Sequence, residues 1–548
     1  MSLQSETITK RSIVLLGLIG LLFLVVLGRF AYIMLFLKGN IQGLSSGQIE
    51  GVYPGRPRGQ IVDTRGNILA TTVLKKSLAA NPGRINHPRK TSERLAVVLG
   101  RSPRELYQRL TRETSFVWLK RKLNEPAVKK IQRLEIDGLF FVPEHKRVYP
   151  QGTLASHVLG FVGIDNQGLA GVEQSHDGLL SENKSYDKNW PFEETTKRMP
   201  TLQLTINQTI QYIVEEELTR TVKQVQPEVA MVVVLEPESG KVLAMANRPT
   251  FNPNHYQKYK PEDRRNRAIL NLFEPGSTLK AMNMAIGLEN NVFSAGTTYM
   301  DRKGYVYLPD ARATIHDYAV HGEVTIPEIL IKSCNVGAVK AVNDISAKTY
   351  YTSLRKSGFG METGITLPGE ASGVLPHPSE WSALTQPNMA IGQGISTTAL
   401  QMTVAFSVLA NNGLLMKPRV IQAKDFPRGR LRKTKPFRVR RVVSKSVAGK
   451  ITSYLEDVVR QGTGKKANSR DYRFAGKTGT AQVPNPRTGG YYKNRVLASF
   501  IGYGSLPEPE LVTGVFIKNP AKGKYGGEVA APLFRRIMKR SLDLVIQR

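Results

Sequence analysis

Three rhythms of apolar and polar positions divide this chain. Residues 13–37 read IVLLGLIGLLFLVVLGRFAYIMLFL, apolar apart from Arg29, and at about 1.5 Å per helical residue the run can cross a hydrocarbon core of about 30 Å. A cleaved signal peptide would carry a shorter apolar region ending at a small-residue site, and the later Gly43-Leu44-Ser45-Ser46 fits that poorly. The expectation is an uncleaved, single-pass anchor behind a short tail of residues 1–12, with Arg29 extending its head toward the outer interface. Lys10 and Arg11 precede the span while Lys38, Arg56 and Arg58 follow it, so the flanking charges do not orient it.

The second rhythm covers residues 38–200. Charged stretches of helical period, SPRELYQRL and EPAVKKIQRL, are interrupted by Pro and Gly, and no His, Cys and carboxylate cluster at metal-ligand spacing accompanies them. This reads as a spacer or docking module. Within it RGQIVDTRGNILA, residues 58–70, sets Ile61, Val62, Ile68 and Leu69 around Thr64-Arg65-Gly66-Asn67, which predicts two short strands and a tight turn.

The third rhythm, residues 201–548, is more compact. QPEVAMVVVLEPESGKVLAMANRP predicts strand, turn and strand, with Val232, Val233, Val234 and Leu235 too apolar for an open surface. LASFIGYG and ELVTGVFIKNP predict two more strands about the Pro507 turn. APLFRRIMKRSLDLVI places Leu533, Phe534, Ile537, Met538 and Leu542 at helical spacing, to pack on the sheet. Between them lies a largely helical middle that includes STTALQMTVAFSVLANNG, with Asn411-Asn412-Gly413 as its stop. The fold class is therefore mixed, α/β (α+β), with hairpins that favour an antiparallel sheet flanked by helices.

Composition narrows the partners. Hydrophobic residues make up 41% and charged ones 22%, ordinary globular values, but Lys+Arg 77 against Asp+Glu 44 leaves a formal charge of +33. No zinc-finger spacing, basic zipper or RNA-binding aromatic signature accompanies the charge, so nucleic acid is not the expected partner and an anionic surface or polymer is. Cys334 is the sole cysteine, which excludes an intrachain disulfide and any multi-cysteine metal site. Neither a metal nor a cofactor is expected.

Candidate chemistry begins at NLFEPGSTLK, where Ser277 follows Pro275-Gly276 and precedes Lys280 by three positions. Alone this is weak, since serine caps helices and lysine is common on their solvated faces. Positions three apart share a helix face, however, so an amine can reach the hydroxyl as its base. Bringing a lysine from about 10.4 to about 7 takes about 4 to 5 kcal/mol of cation destabilisation, which burial and a second positive group could supply. FAGKTGTAQV offers that group: Lys477-Thr478-Gly479-Thr480 on a predicted edge strand, with Gly479 allowing a substrate backbone to lie close. KSCNVG adds Ser333 and Asn335 on either side of Cys334. Ser-x-x-Lys, Ser-x-Asn and Lys-Thr-Gly in this order form the signature set of penicillin-binding proteins and class A β-lactamases.

Together with RNRAILNLFEPGSTLK, SGKVLAMANRPTFNPN, RVYPQGTLASHVLGFVG and KYGGEVAAPLF, those motifs make the chain resemble the class B penicillin-binding proteins, and within them the cell-division transpeptidases of penicillin-binding protein 3 type, over nearly its whole length. Thr64 stands where that family commonly has arginine or lysine, and Cys334 where it often has serine. The resemblance implies a cytoplasmic tail (1–12), a transmembrane anchor (13–37), an elongated pedestal domain (38–200) and a penicillin-binding/β-lactamase-like transpeptidase domain (201–548). It implies a single-pass protein of the bacterial inner membrane at the division site, its catalytic domain periplasmic or extracytoplasmic. Carried over, Ser277 is the nucleophile on a peptidoglycan stem peptide, Lys280 its base, Ser333 a proton relay, and Asn335 a holder of substrate and Lys280. Lys477, Thr478 and Thr480 serve the substrate carboxylate, and the backbone N–H groups of Ser277 and Thr480 form the oxyanion hole. The implied partners are stem peptides, β-lactam antibiotics as covalent inhibitors, a membrane glycan polymerase of the shape, elongation, division and sporulation family, other division proteins and the lipid bilayer.

Alternatives remain open at this point. A D,D-carboxypeptidase or β-lactam hydrolase would share the fold, and a sensor acylated by β-lactams, or a scaffold, would use less of the chemistry. His316-Asp317 suggests a Ser-His-Asp triad, but lacks the strand-turn context and is redundant with Lys280. Gly392-Gln393-Gly394 is expected near the cleft. RGRLRKTKPFRVRR, residues 428–441, is expected to be a solvated strand edge, or a contact for anionic lipid or wall polymer.

Overall fold

The computed structural model describes residues 57–181, 199–426, 430–485, 487, 488 and 490–546, with a few helical positions between Gly20 and Leu27. The stretch expected to be an anchor lies largely outside the described residues, and among those no helix is long and apolar enough to cross a membrane. The chain forms two compact units. The described part of one is Leu74–Lys146; the other joins Arg56–Val73 to Arg147–Arg548.

In the smaller unit the prolines that interrupt the charged stretches turn out to open helices. Pro88 and Pro103 begin the helices Pro88–Leu99 and Pro103–Leu110, and Asn124 caps Glu125–Gln132 by accepting from the Ala127 amide at 3.0 Å. Proline is tolerated there because the first amides of a helix have no intrahelical acceptor to lose. Leu95, Leu99, Leu106, Leu110, Val128 and Ile131 close one core with Val117 and Leu119 of the strand Val117–Lys120.

The larger unit is organised by a five-stranded antiparallel sheet. Its strands are β1 (Val229–Glu236), β2 (Lys241–Arg248), β3 (Phe474–Pro484), β4 (Tyr491–Gly504) and β5 (Leu511–Lys518), ordered β3-β4-β5-β1-β2. Both ends of the sequence region thus meet in one sheet, and the Lys-Thr-Gly strand lies at its edge, as expected. Strand β1 is buried along nearly its whole length because side chains leave it alternately to two cores. Ala230, Val232 and Val234 enter one with α1 (Gln208–Val225) and the C-terminal helix; Met231, Val233 and Leu235 enter the other, beneath the helical middle.

Three further helices matter for the site: α2 (Lys280–Glu289), α3 (Asn335–Asn343) and α4 (Ala399–Ala410), with α5 (Gly526–Ile546) as the C-terminal helix. Helix α4 is buried on all sides, starts in a Thr398/Gln401 capping box and stops before Gly413, whose φ of +82° favours glycine. The periodic apolar side chains of α5, Leu533, Phe534, Ile537, Met538 and Leu542, are fully buried against the sheet. The 58–70 segment is the expected hairpin, Ile61 pairing with Ala70 and Val62 with Ile68. The basic run is an exposed edge where described: Arg430–Lys433 ends its sheet, and Arg438–Arg441 pairs with Leu414–Met416.

Candidate active site

Ser277 sits where a tight turn becomes a helix. Gly276 has φ +56°, a left-handed conformation that glycine adopts without strain, and its amide donates to Gly392 O at 2.9 Å. A short 3-10 turn, Gly276–Thr278, then feeds α2. The Gly392–Gly394 segment expected near the cleft is therefore bonded directly to the nucleophile's turn. Glu274 reinforces that bond, accepting from the Gly394 amide at 2.9 Å and the Tyr491 hydroxyl at 3.2 Å, and burial raises its carboxyl pKa. Ser277 is half-buried, and its hydroxyl has no hydrogen-bond partner among the described residues.

Lys280, first residue of α2, is fully buried. Its Nζ donates to Ser333 O and to Asn335 Oδ1, both at 2.6 Å. The orientation of Asn335 is set from a distant segment, for its Nδ2 donates to His316 O at 2.9 Å and its amide to Asp317 Oδ2 at 2.5 Å, leaving Oδ1 for the lysine. Ser333 has φ +59°, costly for a residue with a side chain. That strained backbone turns its carbonyl to Lys280 while its Oγ accepts from Lys477 Nζ at 3.0 Å. One serine thus lies between two buried ammonium groups.

Both lysines are pushed down. Burial brings Lys280 to about 8, against an upward pull from Asp317, while burial and the Lys280 charge bring Lys477 well below its usual range. The sequence argument made Lys280 the neutral member and Lys477 the helping cation; in the fold burial lowers both amines, and the Lys280 charge adds to the lowering of Lys477. Lys280 has two short oxygen partners and a carboxylate nearby, whereas Lys477 has the Ser333 hydroxyl and, at 3.2 and 3.4 Å, the Thr478 carbonyl and hydroxyl.

On β3, alternation sends Lys477 and Gly479 toward the Ser277 turn. A Cβ on Gly479 would lie 2.5 Å from Ser499 Oγ and 2.9 Å from Thr278 Cγ2. Glycine is required there so that the edge strand can rest on the nucleophile's turn. Thr478 Oγ1 meets Thr463 Oγ1 at 2.7 Å, and Thr480 Oγ1 accepts from the Gly526 amide at 3.1 Å, keeping its own proton to donate.

His316 and Asp317 form no triad with Ser277. The His316 ring is exposed and its carbonyl does the work, while Asp317 accepts from the Asn335 amide at 2.5 Å and the Val336 amide at 3.3 Å at the start of α3. Cys334 is fully buried and caps the same helix, its Sγ accepting from the Gly337 amide at 3.2 Å, with burial raising the thiol to about 12. Sequence reasoning missed Asp317 and Glu274 as organisers. Only the acidic residue of HDYAVHG and the one before Pro275-Gly276 were visible, without their partners.

Residues 230–539 match the penicillin binding protein transpeptidase domain, and residues 55–189 the penicillin-binding protein dimerisation domain. The chain is 32% identical to stage V sporulation protein D of Bacillus subtilis over 99% of its own length and 87% of that protein. It is 30% identical to the peptidoglycan D,D-transpeptidase FtsI of Escherichia coli, covering 98% of this chain and 92% of the other. The crystal structure of penicillin-binding protein 3 from Mycobacterium tuberculosis with aztreonam superposes with a TM-score of 0.72 at 29% identity, over 90% of this chain and 97% of that one.

Proposed function

The chain belongs to the class B penicillin-binding proteins of cell-division type, and from that premise we propose that it crosslinks peptidoglycan stem peptides through an acyl-enzyme on Ser277 during septal wall synthesis. The observation that carries this reading is the convergence of two buried lysines on Ser333, across the groove from one another.

Ser277 Oγ attacks the penultimate D-Ala carbonyl, and Lys280 takes its proton. For that Lys280 must first be neutral. The substrate's terminal carboxylate, arriving beside Lys477, raises the affinity of that amine for a proton; the proton deficit of the pair then falls on Lys280, with Ser333 placed between the two. Asn335 keeps the freed amine aimed and binds the substrate amide. The backbone N–H groups of Ser277 and Thr480 stabilise the tetrahedral oxyanion, a contribution worth roughly a hundred- to a thousandfold per donor in other acyl-transfer enzymes. Ser333 passes a proton to the leaving D-Ala amine, and the amine of a neighbouring stem peptide then attacks the ester and releases the crosslinked product.

The solved relative bound to aztreonam supports β-lactams as covalent inhibitors that occupy the donor's place. The apolar run 13–37 supports a single-pass anchor in the inner membrane, with the catalytic unit outside the cytoplasm at the division site. A membrane glycan polymerase and other division proteins are the corresponding partners. The test is mass spectrometry of the chain treated with a labelled penicillin: one long-lived adduct on Ser277, absent from Ser277→Ala. Rapid loss of the adduct would point to a hydrolase, and no adduct would end the reading.

A further inference from the structure

Cys334 is fully buried, and its sulfur meets three donors from a segment to which the sequence reading assigned no metal. Asp301 ends the strand Thr298–Asp301, while Asp317 and His321 lie between the strands Ala313–His316 and Gly322–Thr325. One ligand atom from each of Asp301, Asp317, His321 and Cys334 lies within 4.8 Å of all the others. The carboxylates of Asp301 and Asp317 have no exposed surface and the imidazole only 7%.

Two independent features point to a cation among them. His321 Nδ1 lies 3.3 Å from Asp301 Oδ2 and 3.5 Å from Asp317 Oδ2. These separations are long for the hydrogen bonds of a buried ion pair, but they match the edge of a tetrahedron whose centre stands at zinc-ligand distance from each corner, roughly 3.3 to 3.8 Å. Charge is the second feature. Two carboxylates are buried side by side, and among the described residues neither forms an ion pair with a lysine or arginine; His321 is the single basic partner of both. Lys280 lies near, but its hydrogen bonds go to Ser333 O and Asn335 Oδ1. Buried charge of one sign calls for a counter-charge.

We propose that Asp301, Asp317, His321 and Cys334 form a closed tetrahedral site for a divalent zinc ion. The donor set of thiolate, imidazole and two carboxylate oxygens suits zinc and disfavours the all-oxygen cations magnesium and calcium. Four protein ligands leave no position for water or substrate, so the ion is structural. On binding, the Cys334 S–H bond breaks, a Zn–S bond forms and one proton is released to solvent; His321 binds as neutral imidazole through Nδ1. Asp317 Oδ2 also accepts the Asn335 amide at 2.5 Å and the Val336 amide at 3.3 Å, which ties this ligand to the start of α3. Because Cys334 lies between Ser333 and Asn335, the ion would clamp the segment that supplies both acceptors of Lys280. The site does not depend on the transpeptidase reading.

The experiment uses the full chain in detergent, stripped with a chelator and titrated with Zn²⁺ against a chromophoric competitor, and with Co²⁺ as a spectroscopic probe. One equivalent per chain is expected, with a thiolate-to-cobalt charge-transfer band and the strong visible bands of a tetrahedral site. Cys334→Ser should lose the charge-transfer band, and Asp301→Asn should weaken zinc binding by more than the roughly 10- to 100-fold that losing an outer partner costs in other zinc sites. Circular dichroism checks that the variants are folded. Absence of stoichiometric uptake by the wild-type chain, or a cobalt spectrum without the thiolate band, overturns the proposal whatever the variants do. Penicillin labelling is a separate readout, so either reading can fail without the other.

Discussion

Two places in the larger unit bury a pair of cations, and they do so in opposite ways. At the first, Arg58 and Arg147 enclose Glu173: Arg58 Nε donates to Oε2 and Arg147 Nε to Oε1, both at 2.6 Å. Arg58 also reaches Asp177 Oδ1 at 2.6 Å and Glu173 O at 2.6 Å, Arg147 reaches Gly59 O at 2.5 Å, and Tyr149 adds its hydroxyl to Glu173 at 3.2 Å. Apart from Arg147 Nη2, every described guanidinium nitrogen there that is buried has an acceptor. At the second, Lys280 and Lys477 face neutral oxygens of Ser333, Asn335 and Thr478, with no carboxylate bonded to either among the described residues. Charge that is paired with opposite charge holds structure together. Charge left partly unpaired gives up its proton readily, and that is where the chemistry lies.

The largest effect that would break this contrast is at the groove. Lys280→Ala should slow acylation of Ser277 by roughly a hundred- to ten-thousandfold, the usual worth of a general base, measured as the rate of labelled-penicillin adduct formation. In the wild type that rate should climb with pH and level off near the depressed value of about 8, since the neutral amine is the active form. A climb that continued to the ordinary lysine range would show that burial does not tune this residue.

Next comes Glu173→Gln, which leaves two buried guanidinium groups without their shared anion. It should destabilise the larger unit by about 3 to 5 kcal/mol, read as a lower denaturation midpoint, while acylation of the surviving folded protein proceeds. An equal loss in both measurements would erase the distinction between the two places.

His157 supplies a smaller, pH-dependent test on the structural side. It is buried, donates Nε2–H to Asp263 O at 2.9 Å in the neutral tautomer, and burial, with Arg248 and Arg267 adding to it, lowers its pKa to about 4. Its folded value lies below the unfolded one near 6.5, so the unfolded chain takes up the proton first as pH falls. Stability from this group is intact above 6.5 and declines between 6.5 and 4, by about 3 kcal/mol in all. Thermal denaturation at pH 7 and 4.5, with His157→Gln as the reference, measures it. The smallest effect is Gly479→Ala, where the new Cβ meets Ser499 and Thr278. It should cost about 1 to 3 kcal/mol and slow acylation as the edge strand lifts from the Ser277 turn, visible in the same two assays.

Legibility in the sequence followed the range of the interactions involved. The continuous apolar runs about the Pro-Glu-Ser-Gly turn in 226–249 and the apolar spacing of Leu533, Phe534, Ile537 and Met538 are local, and both elements stand where the pattern places them. The motifs carrying Ser277, Lys280, Ser333, Asn335 and Lys477 could be read because each has its own residue types in a fixed order; the bonds that join Lys280, Asn335, Ser333 and Lys477 are tertiary. Asp317 was not. Its carboxylate acts on a helix start 18 residues away, and nothing in HDYAVHG says which amide it will meet. The same holds for Glu173, which is 115 residues from Arg58 and 26 from Arg147.

By itself the sequence settled which groups are present: a serine one helical turn ahead of a lysine, a second lysine on an apolar strand, one cysteine and a surplus of positive charge. Only the tertiary structure decided that two buried amines meet at one serine, that Gly479 makes room for the protein's own turn, and that one thiol stands beside two carboxylates and an imidazole. The reason is that a side chain's identity belongs to its position in the chain, whereas its electrostatic energy depends on desolvation and on neighbours that only folding brings within a few ångströms.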